Sequence, residues 1–267
     1  MELIIIFKLV ILGIVEGLTE FVPVSSTGHL IIASDMLNFN NDFAKLFEVV
    51  IQLGAILAVV WLYRDKILKL ILSIFSDKKS YSFAVNLLIA FLPASIIGFL
   101  FHSAIKDYLF NPVTVAFALI LGGIAIIIIE KLNIKEKTVE ALDIDKKSAL
   151  VVGLSQILSL IPGVSRSAST IMGGVCSGLS RKASAEFSFF LAIPIMFAAT
   201  FYDLYKSSDV LNSDSIIMIA IGFVSAFISA LFVIKWFIKF ISTHDFKIFA
   251  WYRIIFGIFL LIFYYFL

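Results

Sequence analysis

Long, predominantly apolar stretches with few charged residues recur along the chain, separated by short polar segments. A hydrocarbon core about 30 Å thick requires roughly 20 predominantly apolar residues in each spanning helix. Six stretches approach that length, at about residues 43–61, 82–101, 112–129, 184–201, 215–234 and 246–267. The pattern therefore predicts six transmembrane helices.

Two further apolar stretches, at about 3–37 and 148–178, are interrupted near their centres. The first stops just before Pro23 and the second just before Pro162, and serines follow each proline. The residue before a proline is disfavoured in a helix and serine is a preferred helix start, so each stretch predicts a helix, a break and a second helix. Irregular backbone at membrane depth persists only where protein or water covers it. We therefore predict two re-entrant helical hairpins that line a cavity.

The two interrupted stretches align with each other when the sequence is shifted by 140 positions. The shift places Gly13 on Gly153, Glu16 on Gln156 and Ser25 on Ser165. We predict one integral-membrane domain, residues 1–267, built from two homologous halves at about 1–135 and 148–267. Each half holds a hairpin and three spans, and because three is odd the halves must be inverted relative to each other. The predicted fold is an all-α polytopic membrane protein whose two hairpin tips meet near the midplane.

Composition and charge agree with a membrane location and add an orientation. The chain is 61% apolar and 15% charged, with a mean hydropathy of +1.07, which excludes a soluble globular domain. Fifteen of its twenty-one Lys and Arg residues fall in four segments that share one side of the predicted fold, at 64–79, 131–147, 181–182 and 235–247. That side is predicted to be cytoplasmic, with both termini outside, whereas eight simple spans would place positive loops on both sides. A net charge of +2 gives no reason to expect a nucleic-acid partner.

Ionisable residues near the predicted breaks are the candidates for chemistry, because charge inside a membrane is costly without a function or a partner. Glu16 and Glu20 lie one helical turn apart, on one face of the first half-helix. Paired carboxylates suit acid–base work or a divalent cation, and the alternative is that they are structural partners of Arg166 or Lys8. Arg166 lies in the second break, where its guanidinium can bind phosphate oxygens or form a structural ion pair.

The serine-rich breaks predict a second anion-binding feature besides the Arg166 guanidinium. Helices that restart after Pro23 and Pro162 present free backbone N–H groups and positive dipole ends toward the two tips. Two such helix starts facing one site form a phosphate cradle. His29, one turn beyond the serines of the first break, is placed to carry a proton or to attack phosphorus, and the alternative is an ordinary core histidine.

Two motifs resemble the signatures of the BacA-type undecaprenyl-diphosphate phosphatases, EGLTEFVPVSSTGH at 16–29 and PGVSRSAST at 162–170. The resemblance covers nearly the whole chain. It implies removal of the terminal phosphate from a C55 diphosphate lipid, recycling of that carrier for cell-wall synthesis, and tolerance of bacitracin. It also implies a location in the bacterial cytoplasmic membrane, a site that opens outward, and dependence on Mg²⁺ or Ca²⁺.

By the same resemblance, the site residues fall into three groups. The catalytic group is Glu16, Glu20, Ser26, His29 and Arg166; the substrate-binding group is Ser25, Thr27, Ser165, Ser167 and Thr170; and the candidate cation ligands are Glu16 and Glu20.

The sequence leaves the mechanism and one other function open. Arg166 and the helix-end amides are expected to hold the diphosphate, while Ser26 or His29 attacks phosphorus or activates water. Inverted repeats with broken helices are also transporter architecture, so the alternative is a flippase or carrier of an anionic polyprenyl lipid. The expected partners are the polyprenyl diphosphate and membrane lipids, and homodimer formation is left open.

Overall fold

The structure, a computed structural model, describes residues 2–206 and 213–266. Its helices are α1 (Leu3–Thr19), α2 (Ser26–Met36), α3 (Asp42–Leu62), α4 (Arg64–Ser73), α5 (Lys78–Leu100), α6 (His102–Leu109), α7 (Pro112–Lys131), α8 (Lys146–Ile157), α9 (Arg166–Ser177), α10 (Arg181–Lys206), α11 (Ser213–Ile241) and α12 (Lys247–Phe266). Short 3-10 helices lie at Ala141–Asp143 and Leu158–Leu160. Outside the described residues lie Met1, residues 207–212 and Leu267. The two predicted halves include all of them, and the sixth predicted span includes Leu267.

Six helices in the described ranges are long and apolar enough to cross a membrane, namely α3, α5, α7, α10, α11 and α12. Each contains most of one stretch that the hydropathy pattern predicts as a span, so this prediction is confirmed. Large apolar side chains such as Phe99, Leu121 and Ile255 remain exposed on these helices. An exposed apolar surface of this kind is expected where lipid rather than water surrounds the protein.

Both predicted interruptions are present as breaks between helices. α1 ends at Thr19 and α2 begins at Ser26, while α9 begins at Arg166 after a single 3-10 turn that follows α8. Asp145 fixes the start of α8, because its side chain accepts a hydrogen bond from the backbone N–H of Ser148 at 2.7 Å. That same bond lowers the pKa of the Asp145 carboxyl below its ordinary value.

In each predicted hairpin, the start of the first helix lies near the end of the second helix, as expected of a re-entrant hairpin. The residues that lead toward α8 run along the end of α9, where the backbone N–H of Lys137 donates to the carbonyl of Gly178 at 2.8 Å. The backbone N–H of Ser180 returns a bond to the carbonyl of Thr138, also at 2.8 Å. In the first hairpin, the Nζ atom of Lys8 lies 3.4 Å from the carbonyl oxygen of Asn38, just beyond α2.

Contacts at the two ends of α12 are compatible with hairpins that approach from opposite ends of the protein. Near its start, the backbone N–H of Phe246 donates to Glu130, which also binds Arg181 shortly after α9. Near its end, the hydroxyl of Tyr264 donates to Asp35 in α2. At 1.5 Å per residue, these two contacts are separated by about 27 Å along α12, close to a hydrocarbon thickness.

The packing of the hairpins repeats between the two predicted halves. α1 packs on α11 with Gly13 against the backbone of Gly222, and α8 packs on α5 with Gly153 against Ala90. A Cβ atom at either glycine would collide with the facing backbone. α7 and α12, the last spans of the two halves, pack on each other. These equivalent contacts support the two-half organisation, which stays a prediction.

The largest apolar cluster surrounds the hairpin tips. It contains Phe21 and Val22 of the first break, Ile171 of α9, and Phe189 of α10. The rings of Phe21 and Phe189 meet edge to face, with centroids 5.2 Å apart. Tight packing on both sides therefore holds the irregular backbone of the breaks in place.

Candidate active site

The two breaks share one local geometry at positions 140 residues apart. Ser25 and Ser165 both have positive φ, 72° and 76°. Each caps the helix that follows, accepting a hydrogen bond from the backbone N–H of Gly28 at 3.4 Å or of Ala168 at 3.2 Å. A non-glycine residue in this region carries local strain, on the order of 1 to 3 kcal/mol, which the surrounding structure must offset. The serines turn the chain sharply and aim the starts of α2 and α9 at the tips.

Glu20, Ser26 and Arg166 form one hydrogen-bonded group across the two breaks. The Ser26 hydroxyl donates to Oε2 of Glu20 at 2.6 Å, and Nη2 of Arg166 donates to Oε1 at 2.9 Å. All three side chains are buried or nearly so, with Arg166 13% exposed and Glu20 8% exposed. The carboxylate is therefore held between a hydroxyl and a cation, an arrangement that activates a hydroxyl nucleophile.

Arg166 is fixed by further contacts on its other side. Nη1 donates to the carbonyl and the hydroxyl of Ser188 at 3.1 and 3.2 Å. The hydroxyl of Ser188 also lies 2.6 Å from that of Thr170, and the guanidinium stacks over the ring of Phe21. Sequence analysis did not identify Ser188, because α10 reads as an ordinary apolar span at that point.

Glu16, one turn before Glu20, is fully buried. Within the described ranges neither of its carboxylate oxygens has a hydrogen-bond partner. Glu16 lies within electrostatic range of Glu20, Glu48 and Arg166. A buried carboxylate beside a second carboxylate calls for a proton shared with Glu20, a water or a cation as its partner.

His29 lies against α12, and its ring nitrogens contact neither Glu20 nor Arg166 among the described residues. Its Nδ1 atom is 2.8 Å from the carbonyl oxygen of Ser25, and its Nε2 atom is 2.5 Å from the hydroxyl of Tyr252. A carbonyl only accepts, so Nδ1 carries the proton, and in a neutral ring Nε2 accepts from Tyr252. The ring also stacks on Phe256 with centroids 4.4 Å apart. The structure thus places His29 one turn beyond Ser25, as expected, and the Ser26 hydroxyl binds Glu20 rather than His29.

The remaining predicted substrate-binding residues surround the second break or follow the first. The hydroxyls of Ser165 and Ser167 lie 2.9 Å apart, and that of Ser167 donates to the carbonyl of Val22 at 2.9 Å. Thr170 reaches the Arg166 carbonyl at 2.9 Å, and Thr27 is half-buried in the first turn of α2. Ser167 thereby joins the second break to the first.

Arg253 ties both breaks to the centre of the protein. It lies inside the sixth predicted span, where the sequence alone does not connect it with the breaks. It is fully buried, and its guanidinium donates to the carbonyls of Pro23 in the first break at 3.2 Å and Gly163 in the second at 3.0 Å. It also reaches the carbonyls of Ala118 and Leu119 on α7, at 3.2 and 3.4 Å. A single side chain therefore satisfies carbonyls that the two breaks leave without helical partners.

A cavity of about 610 Å³ opens beside Arg166, between the C-terminal halves of α5 and α10. Its polar lining residues are Arg166, Gln156, Gln52, Ser95, Ser159, Tyr202 and Asp203, and the rest of its wall is largely apolar. A pocket with a few convergent polar groups in an apolar wall suits a ligand with a charged head and an apolar tail.

Among the described residues, no group of three or more His, Cys, Asp and Glu side chains is arranged to hold a metal ion. Both oxygens of Glu20 already bind Arg166 and Ser26, so Glu16 is the free member of the predicted pair. Mg²⁺ commonly binds through one or two carboxylates together with substrate phosphates, and Glu16 fits that mode. The Glu16 and Glu20 cation site stays a prediction.

The fold and the site define a polytopic membrane protein in which two helix breaks bring a carboxylate, a hydroxyl and a guanidinium together. Sequence comparison identifies its family. A sequence model described as "Bacitracin resistance protein BacA" matches residues 9–259, and the chain belongs to this family. The resemblance of the two motifs is therefore confirmed.

Curated relatives match over almost their full length. A protein of Dechloromonas aromatica named undecaprenyl-diphosphatase is 54% identical, over 97% of this chain and 94% of its own. Proteins of the same name from Nitrosospira multiformis and Nitrosomonas europaea are 57% and 56% identical, each over 98% of this chain and 96% of their own.

Proposed function

We propose that this protein is a membrane phosphatase that hydrolyses undecaprenyl diphosphate to undecaprenyl phosphate and inorganic phosphate. The observation that carries the proposal is the contact of the Ser26 hydroxyl with Glu20, whose other oxygen binds Arg166. Membership of the BacA family and the name shared by the relatives support the same reaction. The product is the lipid carrier of cell-wall synthesis, and its recycling accounts for the family's link to bacitracin.

The geometry favours Ser26 as the nucleophile and Glu20 as its base. Ser26 Oγ forms a bond to the terminal phosphorus, its proton passes to Glu20, and the bond from that phosphorus to the bridging oxygen breaks. Arg166, which already lies beside Glu20, stabilises charge on the phosphoryl oxygens. Undecaprenyl phosphate leaves and its former bridging oxygen takes the proton from Glu20, and a water deprotonated by Glu20 then releases inorganic phosphate from Ser26. His29 remains the candidate proton carrier, held in orientation by Tyr252.

The test of the function is phosphate release by the purified protein in detergent, where no transport is possible. We expect the polyprenyl diphosphate to yield inorganic phosphate, and a rapid quench to trap acid-stable phosphoserine. The absence of released phosphate would contradict the phosphatase and return the alternative, a flippase or carrier. Solvent oxygen entering phosphate in a single turnover, without phosphoserine, would instead assign the attack to water.

We propose Glu16 as the protein ligand of the divalent cation that the family resemblance implies. Its two unpartnered oxygens support the assignment. When bound, the cation would neutralise charge on the diphosphate. Glu16→Gln is therefore expected to raise, by about tenfold or more, the Mg²⁺ or Ca²⁺ concentration needed for half-maximal phosphate release. An unchanged cation requirement, with activity retained, would remove Glu16 from this role.

We propose that the open ends of α1 and α2 face outward and that the loops rich in Lys and Arg are cytoplasmic. Asn40 and Lys78 are both exposed and lie on opposite sides in this arrangement. In a Cys176→Ala background, Asn40→Cys should react with an impermeant thiol reagent added to intact cells, and Lys78→Cys should not. The reverse labelling pattern would invert the orientation.

A further inference from the structure

Gln156 is a buried amide without a partner. It lies in the last turn of α8, just before the second break, and is 1% exposed. Neither its Nε2 nor its Oε1 atom has a hydrogen-bond partner in the part of the chain that the structure describes. Burying an amide in this way costs on the order of 1 to 3 kcal/mol unless a water or a ligand binds it. An apolar side chain of the same shape would be more stable at this position.

The amide lies in the wall of the cavity beside Arg166. Gln156 and Arg166 line the same cavity, and the Nε atom of Arg166 is also buried and unpartnered. Two residues with unpartnered N–H donors therefore belong to the wall of one cavity, whose lining is largely apolar. Ionised phosphate oxygens accept hydrogen bonds and do not donate them. This pair of donors therefore suits an anionic phosphoryl group.

Asn86 shows what a structural amide looks like in the same protein. It is on α5 and is also 1% exposed. Its Nδ2 atom donates to the carbonyl of Ile144 at 2.6 Å and so ties α5 to the segment before α8, while its Oδ1 atom has no partner among the described residues. Gln156 makes no such tie within the described residues. Its amide is therefore not explained by the packing of α8.

Gln156 is uncharged, whereas the residue at the matching position of the first hairpin, Glu16, is a carboxylate. The shift of 140 positions aligns Gln156 with Glu16, which is likewise buried and unpartnered. A carboxylate suits a cation, whereas a carboxamide offers N–H donors without repelling an anion. The two equivalent positions thus present opposite chemistry to the site.

We infer that Gln156 is a substrate-contacting residue whose amide N–H groups bind a diphosphate oxygen beside Arg166. The inference rests on the proposed function, because it names the group that receives the diphosphate in that reaction. A hydrogen bond from a neutral donor to a charged acceptor contributes more than one between neutral groups. Gln156 would accordingly affect substrate binding more than the chemical step.

The experiment replaces the amide with an unbranched apolar side chain, Gln156→Met, and uses Asn86→Leu as the matched control. We expect Gln156→Met to keep or raise the Tm, to raise the KM for the polyprenyl diphosphate about tenfold or more, and to weaken binding of inorganic pyrophosphate similarly. Asn86→Leu should lower the Tm and leave both the KM and pyrophosphate affinity unchanged. An unchanged KM and pyrophosphate affinity in folded Gln156→Met would overturn the inference.

A second variant and the pyrophosphate titration keep the test decisive. If Gln156→Met does not fold, Gln156→Glu keeps the side-chain size and should still weaken pyrophosphate binding, because its charge repels the anion. Wild-type affinity in Gln156→Glu would overturn the inference. A wild-type protein that binds pyrophosphate but releases no phosphate would contradict the proposed function alone, since the titration tests the Gln156 contact without turnover.

Discussion

Glu20→Gln is expected to lower turnover of the polyprenyl diphosphate by about a thousandfold, because the substitution removes the base that the Ser26 hydroxyl contacts at 2.6 Å. The amide has the size of the carboxylate but cannot take the proton. It also weakens the contact with Arg166, whose charge then lacks its partner. The measurement is kcat for phosphate release by the protein in detergent, with the Tm recorded on the same sample.

Glu130→Gln is the matched control for this prediction. Glu130 is also a buried carboxylate with an arginine partner, since Arg181 donates to both of its oxygens at 3.0 and 2.6 Å. It lies at the end of α7, outside the proposed chemistry. We expect Glu130→Gln to lower the Tm while the folded protein keeps its kcat. Near wild-type turnover in Glu20→Gln would remove Glu20 from the chemistry.

Arg253→Met is expected to cause the largest loss of stability. The substitution leaves the carbonyls of Pro23 and Gly163 without their partner, whereas Ala118 and Leu119 keep their helical bonds within α7. Orphaned buried carbonyls cost about 1 to 3 kcal/mol each, so the total for two is on the order of 2 to 6 kcal/mol, or roughly 10 °C in Tm. The Tm of Arg253→Lys should lie between those of the wild type and Arg253→Met, because an ammonium has fewer donors and no planar fork.

Thermal unfolding in detergent measures this loss, and Arg64→Met provides the control. Arg64 also donates to a backbone carbonyl, that of Trp61 at 2.9 Å, but its side chain is exposed. Its removal should leave the Tm nearly unchanged. A wild-type Tm in Arg253→Met would show that the breaks hold their geometry without the arginine.

The spans and the breaks could be predicted because their signals are local. Length and hydropathy define α3 or α7, and a proline followed by a serine defines each break. The short helices α4 and α6 could not be predicted from the same signals, because neither is long or apolar enough. α4 buries none of its residues, so only its amphipathic spacing could have indicated it.

The partners of the site residues depend on tertiary contacts that spacing cannot supply. The local spacing correctly places His29 one turn beyond Ser25, but its side chain meets Tyr252, which is 223 positions away in the sequence. Arg253 carried the one usable signal, an arginine inside an apolar span, yet its four carbonyl partners come from three separate segments. The repeat aligns Gln156 with Glu16 in the sequence, but the lack of partners of the Gln156 amide is visible only in the structure.

A double-mutant cycle on Glu20 and Arg166 tests the proposal that the two hairpins build one active site. The two residues come from different hairpins and meet at 2.9 Å. Phosphate release by Glu20→Gln, Arg166→Lys and the double variant gives kcat/KM for each. Residues that act in one step are strongly non-additive, so the double variant should be little worse than the poorer single variant. Losses that multiply in the double variant would show that the hairpins act independently and would contradict the shared site.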